Sequence, residues 1–324
     1  MALPGLLLGL IFLVAHDVVY LMYQADFSGC RAKFYRAIEH RNALQTHVVK
    51  HIVAEGNRPT IGIKFKPETG EHAVYVSLCP EYGPHLERCS ILLSDAIQNL
   101  RASLDYLTFQ LAMRNKDGVL DNERRVQFPI EDDPTVFKTR CEATGARDRR
   151  GWIAELAADD QKILERYQPY HGKEGDPAAE DQVRTCGSNC SFLYILRDIS
   201  DPDNHRLPQP VLIPPVRLDK VDPAVAMIME GHMRRQRDTG ERSLPITIEA
   251  GTEICWCKMP GWPETDMDMA GHVTPLVAIQ VGQLFQVVPT LDQTARIVRL
   301  LLGEFDTTLG AMRLTIRDAS TVKG

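Results

Sequence analysis

The clearest pattern of apolar positions lies at the end of the first third of the chain. Leu93, Ile97, Leu100, Leu104, Leu107 and Leu111 recur at steps of 4, 3, 4, 3 and 4. That spacing returns side chains to one face of a 3.6-residue helix and makes a heptad-like seam. It predicts a helix from about Pro84 to Asn115. An earlier amphipathic run, Phe34, Ile38, Leu44, Val48 and Ile52, predicts a helix over Arg31 to Glu55. Between the two, Thr60 to Lys66 alternates, Pro67-Glu-Thr-Gly70 reads as a turn, and His72 to Leu78 returns in strand-like residues. A β-hairpin is therefore expected at 60–78.

The next elements are shorter. Asp133-Pro134 suits a helix start, because Asp caps and Pro fits the first turn; that helix is expected over Pro134 to Glu142. Asp159 or Asp160 opens another, ended by Pro169. A further helix is expected over Asp181 to Ser200, with Phe192, Ile195, Leu196 and Ile199 inward, and Asp201-Pro202 stops it. After Arg206 the character changes. Pro208, Pro210, Pro214 and Pro215 suit an edge strand or extended linker, and 246–250, 253–258 and 275–288 read as strands. Thr290-Leu-Asp-Gln293 fits a capping box for a last helix over 291–309. The expected fold class is α+β: a helical-bundle core with an inserted β-hairpin, followed by a small sheet closed by a C-terminal helix. The expected organisation is an apolar segment at 1–23, a helical domain at 24–206 and a strand-rich region at 207–324.

Composition narrows the function classes. With 44% hydrophobic and 25% charged residues, the chain is neither disordered, collagen-like nor a polytopic membrane protein. A formal charge of −6 argues against a protein that coats DNA regardless of sequence. The eight cysteines are sparse for 324 residues. Cys186-x-x-x-Cys190 and Cys255-Trp256-Cys257 lack the usual spacing of a zinc knuckle, so they read as ordinary thiols, and no metal site or cofactor is expected.

Ala2 to Ala15 is apolar apart from Pro4, Gly5 and Gly9, but Asp17 interrupts the run and no basic residue precedes Arg31. A central Asp costs about 2.5–3.5 kcal/mol on membrane-insertion scales. A packed helix, or a stretch upstream of a start at Met22, accounts for the segment better than a membrane anchor. The expected location is cytoplasmic, with anchoring by residues 2–23 as the alternative.

Two polar clusters are candidates for chemistry. Asp95, Asn99, Ala102 and Tyr106 line a stripe beside the leucine seam, where small and polar side chains suit the approach of another helix. Arg101 and Asp105 stand at i and i+4, a pairing worth about 0.3–0.5 kcal/mol. Asp95, Asn99, Asp105 and Tyr106 are the candidate binding residues. In the second cluster, Asp201 to Arg206, Asp203 is placed to hold the tautomer of His205, and Arg206 to hold an anion. A turn and capping role accounts for the same residues. The sequence has no phosphate-binding glycine loop, no G-x-S-x-G, no H-E-x-x-H and no dinucleotide fingerprint.

The run Ser94-Asp-Ala-Ile-Gln-Asn-Leu-Arg-Ala-Ser-Leu-Asp-Tyr-Leu107 resembles a widespread family of uncharacterised bacterial proteins that read G-D-A-L-H-N-L-R-S-A-L-D-H-L there. The similarity extends to Phe65 to Glu71, Gln127 to Ile130, Arg166 to Tyr170, and Asp201 to Arg206, where the family reads N-I-D-K-H-R. It covers about residues 24–206 and leaves out the N-terminal apolar segment.

The helix motif is also similar to the Arg-x-x-x-x-His of HEPN-type helical domains, many of which are metal-independent ribonucleases. That resemblance implies that Arg101 steadies a phosphate. Tyr106 stands at the histidine position, and an unperturbed phenol, with a pKa near 10, is a poor general base at neutral pH.

Two functions follow. In the first, the protein is a non-catalytic helical binding or scaffold module that forms a homodimer through the 93–111 helix. In the second, it is a divergent HEPN-like ribonuclease or nucleotide-acting enzyme. Arg101, His205 and Arg206 then act on RNA or a nucleotide, Asp203 orients His205, and the basic runs at 147–150 and 234–237 steer the substrate.

Overall fold

The first helix, α1 (Ser28–His51), is held at both ends by short-range polar contacts. The Asp26 carboxylate accepts the Ser28 N–H at 2.9 Å and its hydroxyl at 2.8 Å. At the other end Asn57 donates its side-chain amide to the carbonyl of His51 at 3.1 Å, and Arg58 donates Nε–H to the carbonyl of Val53 at 2.9 Å. These contacts satisfy carbonyls that a helix end leaves without partners.

The structure is a computed structural model. It describes residues 24–78, 80–121, 123–142, 153–172, 192–200, 210–213, 223–239, 250–272, 276–281 and 283–306. The apolar segment at 1–23 and the cluster at 201–206 lie outside the described residues.

After α1 come the hairpin strands β1 (Thr60–Lys66) and β2 (Glu71–Leu78), antiparallel and with Gly62 opposite Tyr75. The long helix α2 (Gly83–Asn115) follows, where the leucine spacing places it. All six seam residues, Leu93 to Leu111, are buried. Next are α3 (Pro134–Cys141), α4 (Ala158–Arg166), α5 (Phe192–Ser200), β3 (Val211–Ile213) and α6 (Pro223–Thr239). The chain ends in β4 (Glu253–Cys257), β5 (Met267–His272), β6 (Leu276–Val281), β7 (Gln283–Gln286) and α7 (Val287–Phe305). The fold is α+β, with a hairpin between the two long helices and a C-terminal helix that follows directly on the smaller sheet.

Several local expectations hold with shifted boundaries. Asp133 caps α3 by accepting the Thr135 N–H at 2.7 Å. The cap of α4 is Ala157 rather than Asp159 or Asp160. Both aspartates fall in the first turn, where the helix dipole favours them, and Asp160 is buried against Arg114. In α5 Ile195 and Leu196 are buried as expected, with Leu193 beside them, while Phe192 and Ile199 are only half-buried. The strand expected over 275–288 is two strands, with Val281 opposite Gln283. The capping box at Thr290 does not form: α7 begins at Val287, directly after β7, so Thr290 lies buried within the helix.

The sheets join segments far apart in sequence. One is four-stranded, in the order β4-β2-β1-β5, and the other three-stranded, in the order β3-β6-β7; all pairings are antiparallel. Strands after residue 250 thus extend both edges of the early hairpin, giving partners to backbone groups that a lone hairpin leaves open.

Two compact units result, and both draw residues from before and after 206. Among the described residues, one comprises those within 24–36, 99–197 and 294–306; the other comprises those within 37–98 and 198–293. In the first, Arg114 holds Asp160 through two bonds of 2.7 and 2.8 Å, and Tyr167 donates its hydroxyl to Glu304 at 2.9 Å. In the second, buried Arg41 grips Asp292 with Nε at 2.5 Å and Nη2 at 2.6 Å. Within each unit α1 and α2 run antiparallel. Gln110 accepts the Asp26 N–H and Tyr106 faces Gly29 in the first; His40 faces Asp95 and His51 stacks on His85 in the second.

In the second unit, α6 lies against β4 and β2. Gly231 meets the sheet so closely that a Cβ there would stand 2.4 Å from Cys257 Sγ. Replacing a mid-helix Gly by Ala ordinarily stabilises by about 1 kcal/mol. Gly231→Ala is therefore expected to show that gain only in a Cys257→Ala background. In the otherwise unaltered chain the clash removes it or reverses it by about 1–3 kcal/mol, readable as a double-mutant cycle in urea unfolding.

Candidate functional site

The polar flank of α2 is the only candidate cluster whose residues all fall among those described. Its centre is Arg101. The guanidinium donates through Nη2 to the carbonyl of Phe128 at 2.7 Å and through Nε to Asp105 at 3.3 Å. The Asp105 carboxylate in turn accepts the Phe128 N–H at 2.9 Å. One charged pair, a turn apart on α2, thereby takes both main-chain polar groups of Phe128, whose side chain is buried. Phe128 belongs to the Gln127-Phe-Pro-Ile130 segment, which pairs with no strand among the described residues. The pair supplies hydrogen bonds that a sheet would otherwise provide.

Burial pushes the Asp105 carboxyl above its ordinary value, while the charge of Arg101 and the Phe128 N–H work in the opposite direction.

The other flank residues are dispersed. Asp95 is half exposed, with the Nδ1 of His40 at 3.6 Å. Asn99 is half-buried on the same side. Tyr106 is 46% exposed, and its ring lies on Gly29 of α1, where a Cβ would come within 3.3 Å. This is the small-residue contact that lets α1 approach a bulky ring. Asp203, His205 and Arg206 lie outside the described residues, as does the basic run at 147–150. Of the run at 234–237, Arg234 pairs with Glu230 at 3.1 Å and Arg235 with Glu71 at 3.1 Å. Both guanidiniums therefore have carboxylate partners.

Three features were missed in the residue pattern. An open groove of about 590 Å³ is lined by Asp159, Lys162, Ile163, Glu165, Arg166 and His171, of mixed charge. His72, buried in the four-stranded sheet, bonds the carbonyl of Pro263 through Nε2 at 2.9 Å and rests on Phe65 and Trp262. His47, His51 and His85 form a cluster of touching rings. Only the last left a trace in the sequence, as the i,i+4 pair His47 and His51. Among the described residues no three His, Cys, Asp or Glu side chains are placed to hold a metal ion. No helix among them is long and apolar enough to cross a membrane.

Comparison of the chain with protein-family models, with curated proteins and with solved structures finds no match.

Cys255 and Cys257 lie in β4, and Cys255, like Cys30 and Cys89, is buried. Burial pushes the Cys30 and Cys255 thiols up to about 12 and that of Cys89 up to about 11. Since the thiolate is the nucleophile, these three are expected to resist iodoacetamide in the folded protein at about pH 8 and to react fully in urea, as read by peptide mass mapping.

Arg101→Ala and Asp105→Ala each leave part of the Phe128 main chain without its partner. Each is expected to cost about 1.5–3 kcal/mol of stability in urea titration, and the double substitution less than the sum.

Proposed function

We propose that the chain is a non-catalytic helical binding or scaffold protein that works through the outer flank of α2. The observation that carries this reading is the engagement of Arg101. A phosphate-stabilising arginine needs free donors directed at a cleft. Here the guanidinium is bound to the Phe128 carbonyl and to Asp105. The residue beside it at the histidine position of the HEPN-like motif, Tyr106, rests on Gly29.

Self-association through the 93–111 helix belongs to the proposal in a specific form. The leucine seam is buried within one chain, so a second copy would meet the part of the opposite flank that α1 leaves exposed. There Tyr106 and Asp95 are exposed.

The alternative function, RNA cleavage by Arg101 with His205, Arg206 and Asp203, sets the test. Purified full-length protein is incubated with structured and single-stranded RNA, without added metal, beside Arg101→Ala and His205→Ala. The expected result is intact RNA in every lane, with Arg101→Ala detectable only as a lowered melting temperature. Cleavage by the unaltered chain that disappears in His205→Ala, at an unchanged melting temperature, would establish the enzyme and overturn the scaffold.

A further inference from the structure

His47 and His51 stand one turn apart near the C-terminal end of α1, and His85 lies in the first turn of α2. Their ring centroids are 4.7 Å (His47–His51), 4.7 Å (His51–His85) and 5.4 Å (His47–His85) apart, and His51 and His85 are stacked face to face. Nε2 of His47 is buried without a hydrogen-bond partner among the described residues. The cluster sits where the chain leaves α1 for the hairpin and returns from the hairpin to α2. A polar strap closes the same place. Asn57 bonds the carbonyl of His51, and the Tyr82 hydroxyl bonds the carbonyl of Asn57.

The charged groups facing the rings are cations: Arg88 of α2 acts on His47, and Lys50 of α1 acts on His51. No carboxylate among the described residues acts on either ring. This environment disfavours a divalent metal ion, and the rings do not converge on one point as they stand. It equally disfavours a proton on His47 or on His51, each of which would place its charge against neighbouring rings and a fixed cation.

We propose that the three histidines form a proton-operated latch that holds the end of α1 against the start of α2 while neutral and frees the base of the β1–β2 hairpin on acidification. For His47, burial lowers the pKa first, followed by His51 and His85, against a smaller opposing contribution from the His85 backbone; for His51, burial acts first, then His85 and Lys50. The sign follows from linkage. The closed state takes up protons less readily than the open one. Closure is unaffected above the ordinary histidine value of 6.5, and weakens as pH falls from 6.5 towards the lowered values. Histidine is the side chain suited to this range.

The test is hydrogen–deuterium exchange of the full chain at about pH 7.5 and about pH 5.5, corrected for intrinsic exchange. His85→Gln and His85→Phe are run in parallel; the latter keeps a ring against His51 but takes no proton. The unaltered chain is expected to lose about tenfold protection in 52–59 and 80–86 at the lower pH, while the middle of α2 stays protected. Both variants are expected to lose less than about threefold. Equal protection at the two pH values, an equal acid response in His85→Phe, or a loss spread evenly over the chain would each overturn the latch.

Discussion

One face of α2 carries six large apolar side chains, and all six are enclosed. Burying each contributes about 1.5–3 kcal/mol, so this seam outweighs any single polar contact in the molecule. On the polar side of α2, α1 runs alongside, and Gly29 stands where the ring of Tyr106 lies. Enclosure of the seam consumes the surface that would otherwise suggest a coiled-coil partner. What a second molecule can reach on this helix is the margin, where Tyr106 and Asp95 are exposed.

The charged residues answer a second constraint, the supply of partners to backbone and side-chain groups that packing removes from water. Arg101 and Asp105 serve Phe128, Arg114 serves Asp160, and Arg41 serves Asp292. Such pairs are costly to break because the remaining partner stays partly buried, even where the net contribution of the intact pair is modest. They turn residues that read as chemistry into residues that specify geometry. The three histidines are the exception, since their surroundings offer cations and rings in place of carboxylates. The proposed latch rests on that difference.

The helix over Pro84 to Asn115 and the hairpin at 60–78 were legible because each depends on local periodicity, 3.6 in one case and 2 in the other. The structure places them at Gly83–Asn115 and within Thr60–Leu78. Helix α6 was not assigned, although Pro223 suits its first turn, because the short apolar segment around Ile228 gives way after a few residues to the arginine run and shows no sustained helical period. The capping box at Thr290 misled for a related reason. A cap forms only where the chain enters the helix from outside, and β7 delivers the chain already at Val287.

For the site, the residue types on α2 were readable and their duties were not. The i,i+4 spacing brings Arg101 to Asp105, and the mixture of small and polar residues beside the leucines marks a helix margin. That Phe128 would be the group both side chains serve depends on a segment 23 residues further on being folded back. The joining of β4 and β5 to the hairpin, and the meeting of His85 with His47 and His51, are decisions of the same kind. Periodicity is a property of neighbours along the chain and determined the elements. Partnership across long separations depends on which faces must be covered, and only the packed chain decided it.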